Sequence, residues 1–200
     1  MSRFNVISFD CYGTLVDWDS RVQELLGTKK KLFYDFIFRA AEKEYKPWEV
    51  ILETALSKFN VRIGVKAQDF ADCQAFHDIN FLKKLHSRYE LAILTNASMA
   101  FLERTLSDKI KCFNVLITSD ITNSYKPQLE HFYQLIKKVG DPDRIFHVSA
   151  HPSYDLEPCK KLGLSSCLLM RDVYTKKIWE GLKFKDLCDL DEYLQEYNLS

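Results

Sequence analysis

Val6-Ile7-Ser8-Phe9-Asp10-Cys11-Tyr12-Gly13-Thr14-Leu15 is an apolar, strand-like run that ends on a carboxylate and passes at once into a glycine turn. In an open α/β sheet, ligands collect at the carboxyl ends of the strands. A carboxylate placed there can attack an electrophile and form a covalent ester. An Asp that only caps a turn is the plainer alternative. Phe9 before Asp10 and Gly13-Thr14-Leu15 after it favour the nucleophile.

Outward from this stretch, strand and helix signals alternate. Residues 4–9 read as the first strand. Residues 20–59 are helical in pattern, with Leu25, Leu32, Phe33, Phe36, Ile37 and Ala40 on one face, and Lys46-Pro47-Trp48 breaks the run and restarts it. Residues 60–66 read as a connector and 67–76 as a shorter helix. Strands are then expected at 91–94, 115–117, 145–148 and 166–170, and helices at 81–87, 99–106, 129–139, 156–162 and 187–197. Such alternation predicts an α/β fold, a Rossmann-like doubly wound parallel sheet covered on both faces. The core domain is expected to comprise residues 1–15 and 79–200, with an inserted helical cap domain over 16–78.

Bulk composition narrows the function classes. Lys plus Arg and Asp plus Glu both number 28, so the formal net charge is zero and no bulk charge favours nucleic acid or membrane. At 46% hydrophobic residues, 200 residues can bury a sizeable core. No leader-like segment or bilayer-length apolar run is visible, so a cytoplasmic location is expected. The six cysteines form no CxxC pair, which argues for reduced thiols rather than a metal or disulfide framework. Cys11 reads as a small buried residue.

Phe9-Asp10-Cys11-Tyr12-Gly13-Thr14-Leu15-Val16-Asp17-Trp18 resembles the first motif of the haloacid dehalogenase superfamily. Tyr12, two places after the nucleophile, is similar to the 2-haloacid dehalogenase type II-like branch; phosphatases of the superfamily usually carry a second Asp there. A phosphatase must protonate a departing alkoxide and so needs an acid beside the nucleophile. A departing halide needs no proton, and a tyrosine, with an ordinary pKa of about 10, is a poor acid at neutral pH.

Three further stretches extend the resemblance. Leu91-Ala92-Ile93-Leu94-Thr95-Asn96-Ala97-Ser98 is similar to the second motif, with Thr95 and Asn96 offering a hydroxyl and an amide to an anion beside a helix N-terminus. N-capping by Asn96 or Ser98 is the alternative. Ser124-Tyr125-Lys126-Pro127 resembles the third motif, in which Lys126 neutralises the nucleophile. A Tyr often lies six residues after this Lys in the dehalogenase branch; here Phe132 stands there. His147 to Asp155 occupies the fourth motif. Magnesium-dependent phosphatases present two acids there, five residues apart; Asp155 fits the second, and Ala150 stands at the first. Dehalogenases carry Ser-Ser-Asn-x-x-Asp. Ser149-Ala150-His151-Pro152-Ser153-Tyr154-Asp155 is one residue longer and lacks that Asn.

The resemblance implies a metal-independent (S)-2-haloacid dehalogenase. Catalytic roles fall to Asp10, Lys126 and Asp155, and substrate binding to Tyr12, Thr14, Arg39, Thr95, Asn96, Ser149 and His151. Arg39, on the first long helix of the cap, would meet the substrate carboxylate or the leaving halide; a surface pair with Asp35 is the alternative. His151 either assists water attack or packs over the site. No cofactor is expected. The alternatives are a phosphatase of small phosphate esters, with Mg²⁺ held through Asp10 and Asp155, and a binding protein that has lost catalysis. The expected partner is a small-molecule substrate, and a homodimer stays open.

Overall fold

β1 (Val6–Phe9) is buried along its whole length, as an interior strand of a parallel sheet must be. The computed structural model describes residues 3–61, 64–171 and 179–197. β2 (Glu90–Leu94) and β4 (Ile145–Ser149) flank β1, with Ser8 opposite Ala92 on one side and His147 on the other. β3 (Val115–Ile117), β5 (Ser165–Leu169) and β6 (Leu182–Phe184) complete a parallel sheet of order β3-β2-β1-β4-β5-β6. The chain winds from β1 to one edge, then crosses back to β4. The crevice at the carboxyl ends of β1 and β4 is therefore the topological switch point, where such sheets bind ligands.

Alternation along the strands assigns the two faces. Ile7, Phe9, Leu91, Ile93, Phe146 and Val148 pack with α4 (Phe81–His86), α5 (Met99–Leu106) and α9 (Leu187–Tyr197). Val6, Ala92, Leu94 and Ile145 face the other way, against Phe132 and Leu135 of α7 (Glu130–Val139) and Cys159 of α8 (Glu157–Leu162). A short α6 (Ser119–Thr122) follows β3. The described cysteines are all free, and Cys11 is fully buried in the first cluster. Among the described residues no helix is long and apolar enough to cross a membrane.

Between β1 and β2 lie α1 (Trp18–Leu26), α2 (Lys30–Ala41) and α3 (Trp48–Lys58), which share a separate apolar cluster. Asp17 caps α1 by accepting from the Ser20 amide at 3.0 Å. Gly27, at φ +53°, turns the chain from α1 into α2, a break the continuous helical pattern had hidden. Phe33 stacks on Phe70 with ring centroids 5.0 Å apart. Ala97, Phe101 and Tyr125 join this cluster, so the helical insertion rests on the strand-end loops of the core.

Besides the break at Gly27 and the short α6, two elements differ from the sequence expectation. Residues 67–76 are not a helix: a 3₁₀ turn at Ala67–Ala71 gives way to extended chain that pairs with the outgoing segment. The Asp17 amide donates to the Gln74 carbonyl at 2.7 Å and the Phe76 amide to the Leu15 carbonyl at 3.0 Å. The returning backbone finds its partners in the departing one, which local pattern cannot reveal. β6 was not anticipated, because Leu-Lys-Phe is short, carries a charge and lies at the sheet edge.

A buried ion pair fastens the return. Arg171, just after β5, donates from one guanidinium nitrogen to both oxygens of Asp78 at 2.9 Å, and from Nε to the Thr14 carbonyl at 3.0 Å. Its guanidinium lies 4.2 Å from the centre of the Phe76 ring.

Candidate active site

Asp10 follows the last residue of β1, and its amide donates to the Val148 carbonyl of β4 at 3.1 Å. Its carboxylate stands at the switch point, only 5% exposed. The following turn closes on itself through the Gly13 amide, which donates to the Val16 carbonyl at 2.8 Å, and Gly13 takes a φ of +84° that side chains oppose. Thr14 is thereby aimed back at Asp10. Its hydroxyl donates to Oδ2 at 2.7 Å and accepts from the Ala150 amide at 3.0 Å.

Lys126 binds the site together. Its Nζ donates to Asp10 Oδ1 at 2.9 Å, to Asp155 Oδ1 at 2.7 Å and to the Leu94 carbonyl at 2.8 Å. Three protons meet three acceptors, which satisfies an ammonium that is 2% exposed. Burial works against the charge on Lys126, but the two carboxylates overcome it and hold the ammonium above its ordinary range. Burial likewise works against the charge on Asp155; Lys126 and His147 outweigh it and hold the carboxyl well below its ordinary range.

The sign of the resulting pH dependence follows. A carboxyl depressed in the folded state stabilises the fold above its unfolded value, about pH 4, and loses that contribution as pH falls through the folded value. Stability followed by circular dichroism is expected to decline below about pH 4. The decline should be shallower in an Asp155→Asn variant, which removes the titrating group.

Neighbouring groups orient these charges. Ser149 donates to Asp155 Oδ2 at 2.9 Å. His147 Nε2 lies 3.2 Å from Asp155 Oδ1, and its Nδ1 lies 2.8 Å from the Ser8 hydroxyl. Since a carboxylate only accepts, Nε2 carries the proton. Asn96 clasps the Lys126 main chain: its Nδ2 donates to the Lys126 carbonyl at 3.1 Å and its Oδ1 accepts from the Lys126 amide at 2.7 Å. The Thr95 hydroxyl accepts from the Ala97 amide at 3.2 Å, and the Thr95 carbonyl accepts from buried His131 at 3.0 Å. Burial, and then Lys126, push His131 down to about 4, so it is a neutral donor at pH 7.

A cavity of ≈ 80 Å³ opens on Asp10, Lys126 and Asp155. The insertion supplies its roof through Trp18, Tyr34, Ile37, Phe38, Ala41 and Trp48. His151 lines its side; Nε2 donates to the Tyr12 carbonyl at 2.9 Å and lies 3.7 Å from Asp10 Oδ2. Tyr12 presents its ring to the cavity, while its hydroxyl pairs with the Thr105 hydroxyl at 2.6 Å. Burial pushes this phenol well above its ordinary range, which removes it as a proton donor. Burial, reinforced by Asp10, raises the Cys11 thiol in the same way, and no thiolate competes with Asp10.

Asp10, Tyr12, Thr95, Asn96, Lys126, His151 and Asp155 thus line one cavity, with Thr14 and Ser149 bonded to its carboxylates. Asn96 lines the cavity while its side-chain amide clasps the Lys126 backbone. One expectation needs correcting: Arg39 does not reach the cavity. Tyr34, Ile37, Phe38 and Ala41 form the inner stripe of α2, and Arg39 falls off that stripe, exposed, beside Asp35 and Lys43 in an outer groove. An Arg39→Ala variant is accordingly expected to change KM for any substrate of this cavity by no more than about twofold, as an exposed substitution remote from the site, checked by steady-state kinetics.

A profile of the haloacid dehalogenase-like hydrolase family matches residues 4–163. The chain belongs to the haloacid dehalogenase-like hydrolases. Solved structures similar to this hydrolase include the L-2-haloacid dehalogenase PA0810, at TM-score 0.81 and 20% identity over 96% of this chain and 99% of that one. The L-2-haloacid dehalogenase from Xanthobacter autotrophicus with chloropropionic acid covalently bound aligns at TM-score 0.78 and 16% identity, over 96% and 98%. YfnB from Bacillus subtilis, a putative HAD-hydrolase bound to magnesium, aligns at 0.76 and 17%, over 96% and 99%. At these identities the likeness is one of fold. A search of curated proteins finds no match.

Several residues of the hydrolase site escaped sequence reasoning. His147 stood inside the fourth motif without an assigned role, because its partner Ser8 is brought alongside only by the pairing of β1 with β4. Arg171 and Asp78 lie 93 residues apart and carry no local signal. Of the roof residues, Trp18 and Phe38 could be read from sequence as an apolar wall, with core packing the alternative; Tyr34, Ile37, Ala41 and Trp48 carried no such signal.

Proposed function

We propose that this hydrolase cleaves the carbon–halogen bond of small 2-halocarboxylic acids by covalent catalysis on Asp10, without a metal. An Asp10 oxygen forms a bond to C2 as the halide leaves with the bonding electron pair, inverting that carbon. Water then adds to the Asp10 carbonyl carbon. The acyl–oxygen bond breaks, one water proton passes to the departing alkoxide and the other is released to solvent, which frees the 2-hydroxy acid and restores the Asp10 carboxylate. Helices α1 to α3 act as the cap that closes over the substrate.

One observation carries this reading: the Lys126 ammonium bridges Asp10 and Asp155 at 2.9 and 2.7 Å. It supplies the fixed positive charge that a divalent cation would otherwise bring. The donor set does not fit Mg²⁺, which demands several free hard oxygens in octahedral array. Both Asp155 oxygens and both Asp10 oxygens already accept hydrogen bonds, and Ala150 offers no ligand. Among the described residues no three His, Cys, Asp or Glu side chains gather as a metal site. The absence of an acid beside Asp10 agrees with a leaving group that needs no proton. The cavity, at ≈ 80 Å³, is smaller than the roughly 150 Å³ that holds benzene, which suits a substrate of a few non-hydrogen atoms.

A halide-release assay on 2-chloropropionate, run with and without EDTA beside a phosphate-release assay, tests the activity. Halide release unaffected by EDTA is expected; chelator-sensitive phosphate release in its place would overturn the proposal. Single turnover in ¹⁸O water tests the route, with label expected first in Asp10.

A further inference from the structure

The cavity over Asp10 has a neighbour. A larger outer basin of ≈ 740 Å³ lies between the start of α2 and the turn after β4, and it shares four lining residues with the cavity: Tyr34, Phe38, His151 and Tyr154. The groove behind α2 and α3 and the groove beside β6 share none with it. The roof residues Trp18, Ile37 and Trp48 are buried, Tyr34, His151 and Tyr154 are half-buried, and Phe38 is 37% exposed. The lining thus grades from buried to exposed toward these four side chains.

Two elements supply them from opposite sides. Tyr34 and Phe38 stand one turn apart on α2, and their rings stack with centroids 5.4 Å apart. His151 and Tyr154 come from the core. Pro152–Leu156 form a π-helical turn, closed by the Glu157 amide on the Pro152 carbonyl. It lies within the stretch that runs one residue longer than the dehalogenase pattern. The turn carries Asp155 inward to Lys126 at 2.7 Å and sets the preceding side chain, Tyr154, against Phe38. Those two ring centroids are 5.4 Å apart with the planes at 33°. Rings at that separation are packed together, which leaves no passage between them.

We infer that the Phe38–Tyr154 pair is the entrance to the cavity and the element that limits substrate length. Phe38 is the moving side. It is exposed, and exposed side chains change rotamer within nanoseconds, so its ring swings toward the outer basin to let a molecule pass. Tyr154 is the fixed side: it is half-buried and also meets the His151 ring, with centroids 6.2 Å apart. A short acid passes and lies wholly inside, and the rings close behind it. A longer alkyl chain stays between the rings and holds them apart, so their contact is lost for as long as it is bound. The limit on length rests on the proposed 2-haloacid activity; the entrance does not.

The test reads access and length separately. The chain has three tryptophans, and Trp179→Phe leaves emission from Trp18 and Trp48, both in the cavity roof. In that background acrylamide quenching is expected to rise about twofold or more in Phe38→Ala and in Tyr154→Ala. It is expected to stay near the parent value in Phe38→Tyr, which keeps the ring, and in Arg39→Ala, on the outer side of the same helix. Halide release from 2-chloropropionate and 2-chlorohexanoate is then compared. The ratio of their kcat/KM values is expected to shift toward the longer acid by about tenfold or more in both alanine variants. These variants approach the pair from opposite sides, so misfolding of one leaves the other to decide. Unchanged quenching in the alanine variants, an equal rise in Arg39→Ala, or an unchanged length preference in a protein that releases halide would each overturn the inference. If the native protein releases no halide, the proposed activity falls by itself, and quenching still decides the entrance.

Discussion

Asp10→Asn is expected to lower halide release by about 10⁴-fold or more, as loss of a nucleophile does, with no ester adduct visible by mass spectrometry of the intact protein. An amide cannot displace halide from C2, and the groups around Asp10 offer no substitute: Cys11 is held as a thiol by burial and by Asp10 itself, and Asp155 is occupied on both oxygens. The fold should survive. Lys126 keeps its bond to Asp155, and the Asn carbonyl still accepts one hydrogen bond, so the loss is about 1–2 kcal/mol. Activity and stability are thereby separated. A variant that stays folded, by urea titration, and still turns over at a tenth of the native rate would remove Asp10 from the chemistry.

The opposite balance is expected for Lys126→Met, which should cripple both. Met fills most of the same volume but leaves two buried carboxylates facing each other without an ammonium. Removing one partner of a buried ion pair costs about 3–5 kcal/mol, because the charge left behind has lost both water and its counter-ion. The urea midpoint should drop accordingly, and halide release should fall at least about 10³-fold. The second variant, Lys126→Met with Asp155→Asn, discriminates. Taking away one of the stranded carboxylates is expected to restore part of the lost stability and none of the activity. A double variant no more stable than Lys126→Met would mean that the cost comes from packing rather than from charge.

Parts of this site were legible before folding because they are local. Asp10, Gly13 and Thr14 lie within one turn, so the strand that delivers the carboxylate and the hydroxyl that holds it are read together. Lys126 could be placed between a strand and a helix because β3 and α7 bracket it. Arg39 could not be placed from pattern alone. It belongs to a helix with apolar residues around much of its circumference, and only the packing of α2 onto the strand-end loops decides which stripe faces inward. The clasp of Asn96 on the Lys126 backbone was hidden for a related reason: its partner lies 30 residues away. The extended return at residues 72–76 and the edge strand β6 are formed by pairing with distant chain, and their own residues prefer nothing strongly.

By itself the order of residues determined the alternating α/β architecture, the insertion after the first strand, and a carboxylate at the strand tip with a lysine to meet it. Those features follow from short-range periodicity and turn chemistry, which every residue carries with it. Tertiary structure alone decided which side chains share a cavity, that one ammonium bridges two acids there, and that Arg39 stands outside it. Those outcomes depend on the facing of helices and on burial. Charges pair across the fold only once folding has taken water away from them.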